Sequence, residues 1–174
     1  MVPSNVITMP VRQPQAYVRG CVPVAQGTYP DLVLYWDFVR RGLALIKSRQ
    51  QHASFWEPEH VRASIVAGQS ELWLAFADGG MIERPVGFTV TQVTTDPFIH
   101  VPTSLFVWMA WKEPSDRTNV VAAMDEHITQ VARERGLRHL EALTARPGLG
   151  RRMRRHGWEV AMEVVRKDLY KRSV

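Results

Sequence analysis

The sequence contains almost no cysteine. Cys21 stands alone among 174 residues, so no intrachain disulfide can form and a reducing compartment is the expected setting. Apolar runs approaching the ~20 residues of a membrane-spanning helix are also missing, as is an N-terminal basic start followed by an apolar core. Neither a membrane span nor an export signal is expected. The six histidines, His52, His60, His100, His127, His139 and His156, show no His-Glu-x-x-His spacing, so no metal site is expected. No Gly-x-Ser-x-Gly or Walker sequence occurs either, which removes the common signatures of serine hydrolases and P-loop nucleotide binders. Cys21 itself lies in Tyr17-Val18-Arg19-Gly20-Cys21-Val22, which reads as a short strand, and its thiol is expected to be structural.

What remains is an ordinary globular composition, 45% hydrophobic and 22% charged, enough for one domain with a core of its own. The net charge of +5 is unevenly placed. Residues 146–174 hold nine Lys or Arg against Glu159, Glu163 and Asp168, whereas the first 145 residues hold 13 basic and 14 acidic side chains. The C-terminal end is therefore where an anionic partner would be held.

Pro3, Pro10, Pro14, Pro23 and Pro30 are spaced too closely for a helix to run between them, so residues 1–29 form an extended proline-rich arm with room for a first strand at 17–22. From Asp31 the apolar residues Leu32, Trp36, Val39, Leu43 and Ile46 recur at helical spacing, predicting a helix to about Arg49. A second helix is expected from Pro58 to Ala67, with Val61 and Ile65 on one face and Gly68 as its stop. Residues 72–77 and 86–91 alternate as strands around Asp78-Gly79-Gly80, a hairpin signal. Residues 104–111 are apolar on both faces, as a central strand would be, with Leu105, Val107 and Met109 on one side and Phe106, Trp108 and Ala110 on the other. Val121, Met124, Ile128 and Val131 mark a long helix that stops at Gly136. A strand over 137–144 follows, and its helical connection predicts a parallel pairing with 104–111 through a right-handed crossover. A short basic helix at about 150–155, Gly157 and an apolar run from Trp158 close the chain.

This order of elements, with Gly157-Trp158-Glu159-Val160 after a basic helix and the closing Arg166-Lys167-Asp168-Leu169, resembles the GNAT (GCN5-related N-acetyltransferase) fold. Leu72-Trp73-Leu74-Ala75, Val86-Gly87-Phe88-Thr89-Val90-Thr91 and Ala145-Arg146-Pro147-Gly148 resemble in particular the GNAT-like proteins encoded by tailed bacteriophages. The resemblance covers about residues 30–170. It implies an α/β (α+β) domain over 30–174, with a mixed central sheet of six to seven strands flanked by about four helices.

The resemblance also implies a chemistry, which this sequence matches poorly. The family holds the pyrophosphate of acetyl-coenzyme A on backbone N–H groups at the start of the long helix, in a glycine-rich loop that lets the backbone come close. Here that loop reads Lys112-Glu113-Pro114-Ser115-Asp116-Arg117-Thr118-Asn119. It has no glycine, and its two carboxylates oppose phosphate charge unless Lys112 and Arg117 outweigh them; as a solvated turn it would be capped by Asp116 or Thr118. If acetyl-CoA does bind, Met109, Trp111, Arg117, Thr118 and Asn119 are the residues that the resemblance places against it. Residues 104–111 lack the family's carboxylate base, and Met153 stands where a tyrosine acid would be. Glu71, Glu141 and His139 are possible substitutes, each also explained as an edge or solvent-facing residue. No catalytic residue is assigned.

Arg146-Pro147-Gly148-Leu149-Gly150-Arg151 lies after the last parallel strand, the wrong place for the pyrophosphate; it reads as a strand-to-helix turn or an anion contact. Arg146, Arg151, Arg152, Arg154 and Arg155 form the candidate anionic-partner patch. Three functions fit these residues: a non-catalytic binding or structural component of a tailed-phage virion or its assembly, an acetyl-CoA-dependent N-acetyltransferase, and a nucleic-acid-associated basic module. The first implies other protein subunits as partners, in a phage particle or a homo-oligomer. The implied location is the host cytoplasm, with incorporation into the virion.

Overall fold

The structure, a computed structural model, describes residues 16–21, 29–49, 56–77, 83–98, 100–142, 151, 153–155 and 157–159. The chain divides into two compact units, Met1–Leu143 and Thr144–Val174.

The first unit contains β1 (Ala16–Gly20), α1 (Pro30–Ser48), α2 (Pro58–Val66), β2 (Glu71–Ala77), β3 (Pro85–Thr95), β4 (Pro102–Lys112), α3 (Val120–Glu134) and β5 (His139–Ala142). The strands form one sheet in the order β1-β2-β3-β4-β5. Successive strands pair antiparallel except β4 and β5, which run parallel on either side of α3, as the helical connection predicts. The described residues thus hold five strands and three helices, fewer than the six to seven and about four expected. The closing strands predicted from Trp158 onward and the Asp78-Gly79-Gly80 turn lie outside the described residues, apart from Trp158 and Glu159.

The helical periodicity of α1 becomes burial: Leu32, Trp36, Val39 and Leu43 are all 8% exposed or less. They pack on Leu72, Leu74 and Phe76 of β2, Phe88 and Val90 of β3, and Met109 and Trp111 of β4. The helices α2 and α3 both end in glycine-assisted turns: Gly68 has φ +70 two residues beyond α2, and Gly136 does the same after α3 at φ +68, conformations that cost an L side chain about 1 kcal/mol.

The opposite face of the sheet is covered by α3. Ile128, Val131 and Ala132 pack with Trp73 and Leu105, and Val120 and Met124 with Ala75 and Val86. One expectation fails here. Leu105 and Val107 lie under α3, whereas Met109 joins the α1 side, so these three do not share a face. The reason is a bulge: Val90 pairs with Met109 but Thr91 with Val107, leaving Trp108 as an extra residue that reverses the side-chain phase.

The first strand is fastened by Arg19. Its guanidinium bonds Asp31 of α1 at 3.0 Å and Glu83 at 3.0 Å, lies 4.7 Å from the centroid of the Phe76 ring, and ties β1, α1 and β2 together. Next to it, burial pushes the Cys21 thiol up to about 12, which suits the structural role predicted for it.

In the second unit, Arg151, Met153 and Arg154 have helical backbone. Gly157 follows at φ +83, its N–H donating to the Arg154 carbonyl at 3.2 Å. These residues fall within the stretch 150–155 where the basic helix is expected, the remainder of which lies outside the described residues.

Candidate functional site

The turn between β4 and α3 is where the resemblance places a phosphate loop, and its geometry is set by its own carboxylate. The Glu113 N–H donates to the Val86 carbonyl at 2.8 Å, holding the end of β4 against β3. The Asp116 N–H then donates to the Glu113 carbonyl at 3.1 Å. The Asp116 carboxylate accepts the Thr118 backbone N–H at 3.0 Å and the Thr118 hydroxyl at 2.7 Å, while Lys112 Nζ donates to the Asp116 carbonyl at 2.6 Å. Thr118 is buried, so this is a packed turn. Asn119, at the N-cap of α3, makes no side-chain capping bond. Asp116, not Asn119 or Thr118, therefore supplies the negative charge near the helix start, a favourable place for it. Arg117 is exposed. Glu113 is mostly covered and pairs with Arg41 of α1 at 3.5 Å.

The edge of β4 is the second feature. Beside the Trp108 bulge, β4 pairs with β5 only over Ser104, Leu105, Phe106 and Val107. Among the described residues, 108–112 have β3 on one side and no strand on the other. The side chains of Met109 and Trp111 point into the α1 core, at 4% and 7% exposure, so these two positions can offer a ligand only backbone groups. The structure thus brings Thr118, Asn119 and Arg117 together in one turn and leaves Met109 and Trp111 on the adjoining strand.

The substitutes considered for acid–base work have structural employment. The Glu71 carboxylate accepts from Arg135 at 2.8 Å. Glu141 accepts the Ser104 hydroxyl at 2.9 Å, and His139 is exposed. Among the described residues there is no cluster of three His, Cys, Asp or Glu able to hold a metal ion, and no helix is long and apolar enough to cross a membrane. Arg151, Arg154 and Arg155 of the proposed anionic patch are exposed; Arg146 and Arg152 lie outside the described residues.

A titratable group that the sequence did not single out is His127 of α3. It packs edge-on against Trp73 with ring centroids 5.2 Å apart, and its Nε2 is buried with no hydrogen-bond partner among the described residues. Burial holds its pKa below the ordinary 6.5, with Glu134 opposing weakly. A histidine that is harder to protonate when folded stabilises fully above its unfolded pKa, and that contribution is lost as pH falls through and below it. The urea midpoint should therefore fall between pH 7.5 and pH 5.5, and His127→Gln should flatten that dependence; identical slopes in both proteins would refute the assignment.

No protein-family model matches the chain, and neither does any curated protein sequence. Solved structures do match. A protein described as a probable acetyltransferase aligns over 90% of this chain and 99% of its own, with a TM-score of 0.65 and 14% identity. A predicted acetyltransferase from Clostridium acetobutylicum, solved with acetyl-CoA, covers 91% of this chain and 99% of its own, with a TM-score of 0.62 and 12% identity. The ribosomal-protein-alanine N-acetyltransferase from Brucella melitensis biovar Abortus 2308 covers 87% of this chain and 99% of its own at a TM-score of 0.59 and 17% identity. With a mixed sheet of five strands among the described residues and a parallel β4–β5 pair joined through α3, this chain has the fold of the GNAT acetyltransferases.

Proposed function

We propose that the chain is a GNAT-fold binding protein that does not use acetyl-CoA as a donor. The observation that carries this reading is the Asp116 carboxylate, bonded to the Thr118 N–H and hydroxyl beside the helix start where the family seats a pyrophosphate. Two like charges about 4 Å apart at a protein surface repel by roughly 4 kcal/mol. A helix N-terminus returns only about 0.3–1 kcal/mol per anion. Lys112 is already bonded to the Asp116 carbonyl, which leaves the exposed Arg117 as the other cation of the turn. The pyrophosphate therefore does not fit this turn as it stands, and no transfer step is derived through it.

The reading places the protein as a component of a tailed-phage particle or its assembly. That part is supported by the motif resemblance at 72–75 and 86–91 and by the proline-rich arm, which is suited to contact with neighbouring subunits. Mass spectrometry of purified particles tests it: absence of the chain from particles and from assembly intermediates would remove it.

The rival reading, an acetyl-CoA-dependent N-acetyltransferase, is favoured by the edge of β4 at residues 108–112, whose backbone groups beyond the bulge could pair with an amide-containing arm. Thermal unfolding separates the two. A ligand bound only to the native state must raise the melting temperature, and the expected result is no shift with about 1 mM acetyl-CoA, a concentration that would register a dissociation constant of about 0.1 mM. No acetyl transfer to small amines is expected. A clear rise in melting temperature accompanied by turnover would establish the rival.

A further inference from the structure

A cavity of about 240 Å³ lies beside the β4–α3 turn, lined by Ala77, Arg84, Val86, Glu113, Ser115 and Asp116. We propose that it binds a small zwitterion carrying an ammonium and a carboxylate, an ω-amino acid or a ligand of that chemistry. The cavity shares Glu113, Ser115 and Asp116 with the β4–α3 turn, so the proposal rests on the reading that this turn seats no pyrophosphate.

The lining divides into three parts. Ala77 and Val86 are apolar, and Val86 is 5% exposed in the cluster it shares with Val120 and Met124 of α3, giving a rigid apolar floor. Arg84 supplies the positive part. It is exposed and its guanidinium has no partner among the described residues, unlike Arg19, Arg40, Arg41, Arg62 and Arg135, each of which has a carboxylate. Arg84 lines the cavity, and its guanidinium donors can bind a ligand carboxylate bidentately.

Glu113 and Asp116 supply the negative part, and both are held in place. The Glu113 backbone is bonded to Val86, and its side chain, only 19% exposed, pairs with Arg41 at 3.5 Å through one oxygen, the other having no partner among the described residues. Asp116 is fixed by Thr118. An ammonium with three donors can bridge acceptors of this kind, including the Ser115 hydroxyl. A purely anionic ligand meets two carboxylates, and a purely cationic one meets Arg84. A molecule with both charges separated by methylenes satisfies both ends and rests its chain on Ala77 and Val86.

Amide chemical shifts of residues 84–86 and 113–118, followed during titration with the ω-amino acids from β-alanine to aminohexanoate, test the proposal. One member of the series should saturate in the millimolar range. Butylamine and valerate, each lacking one charge, should bind at least about tenfold more weakly. Arg84→Gln and Glu113→Gln should each weaken the best ligand by about tenfold, while Arg117→Gln, in the same turn but not lining the cavity, should leave it unchanged. Arg84 is exposed and has no partner among the described residues, so its replacement leaves folding intact. No saturable shifts up to about 10 mM, or equal binding by wild type and both lining variants, would overturn the proposal.

Discussion

Gly42→Ala should lower stability by about 2 kcal/mol, although alanine in a helix interior is ordinarily worth up to about 1 kcal/mol more than glycine. Gly42 is buried in the middle of α1. A Cβ built there would sit 2.5 Å from Phe88 Cε1 and 2.8 and 2.9 Å from Trp111 Cδ2 and Cε3. Neither ring can retreat. Phe88 is fully buried, and Trp111 is hemmed in by Phe38, at 5.3 Å between centroids, and by Phe88, at 6.0 Å. Overpacking of this kind costs about 1–3 kcal/mol or more, so the steric loss outweighs the propensity gain. For a chain of this size, the melting temperature should drop by roughly 4–8 °C, read by circular dichroism. An unchanged or higher value would mean that α1 can lift from the sheet without loss. Trp111 also sits one residue before the end of β4, so moving it displaces the start of the β4–α3 turn.

That contact shows where sequence periodicity stops being informative. Helical spacing located α1 within a residue at each end because Leu32, Trp36, Val39 and Leu43 each had to face the sheet, and burial confirms all four. Gly42 carries no side chain to enter such a pattern, and its role is visible only once Phe88 and Trp111 are placed beneath it. Likewise, residues 104–111 read as a regular strand apolar on both sides. A strand whose two faces are equally apolar gives no sign of a one-residue phase change, so the Trp108 bulge was illegible although it decides which side chains lie under α3 and where β5 pairing stops.

The site was legible in its residue types and not in its directions. The absence of glycine from residues 112–119 and the presence of Glu113 and Asp116 were plain in the sequence. That Asp116 turns onto Thr118, and that Arg84 lines one cavity with Glu113, follow from how β2, β3 and β4 end together. His127 was unremarkable in sequence because nothing marked Trp73, 54 positions earlier in the chain, as its neighbour.

Asp116→Asn should create affinity for acetyl-CoA, and for inorganic pyrophosphate, that the wild type lacks. Asparagine keeps a side-chain oxygen able to accept from the Thr118 N–H, so the turn retains its 3.0 Å bond geometry. It removes the charge and one of the two oxygens that face the Thr118 hydroxyl, which the remaining oxygen still accepts at 2.7 Å. Loss of a repulsion worth roughly 4 kcal/mol per charge pair at close range, less solvent screening, should strengthen binding by about ten- to a hundredfold, or about 1.4–2.7 kcal/mol. The gain should shrink at high salt, since the turn is near the surface. Calorimetric titration with pyrophosphate isolates the phosphate seat from the rest of the ligand, and acetyl-CoA then asks whether the free edge at residues 108–112 adds to it. If Asp116→Asn binds pyrophosphate no better than wild type, the carboxylate is not what closes the seat. If pyrophosphate gains and acetyl-CoA does not, the seat is restored while the edge of β4 remains closed to the arm of the ligand, which would confine the family's remaining likeness in this chain to its fold.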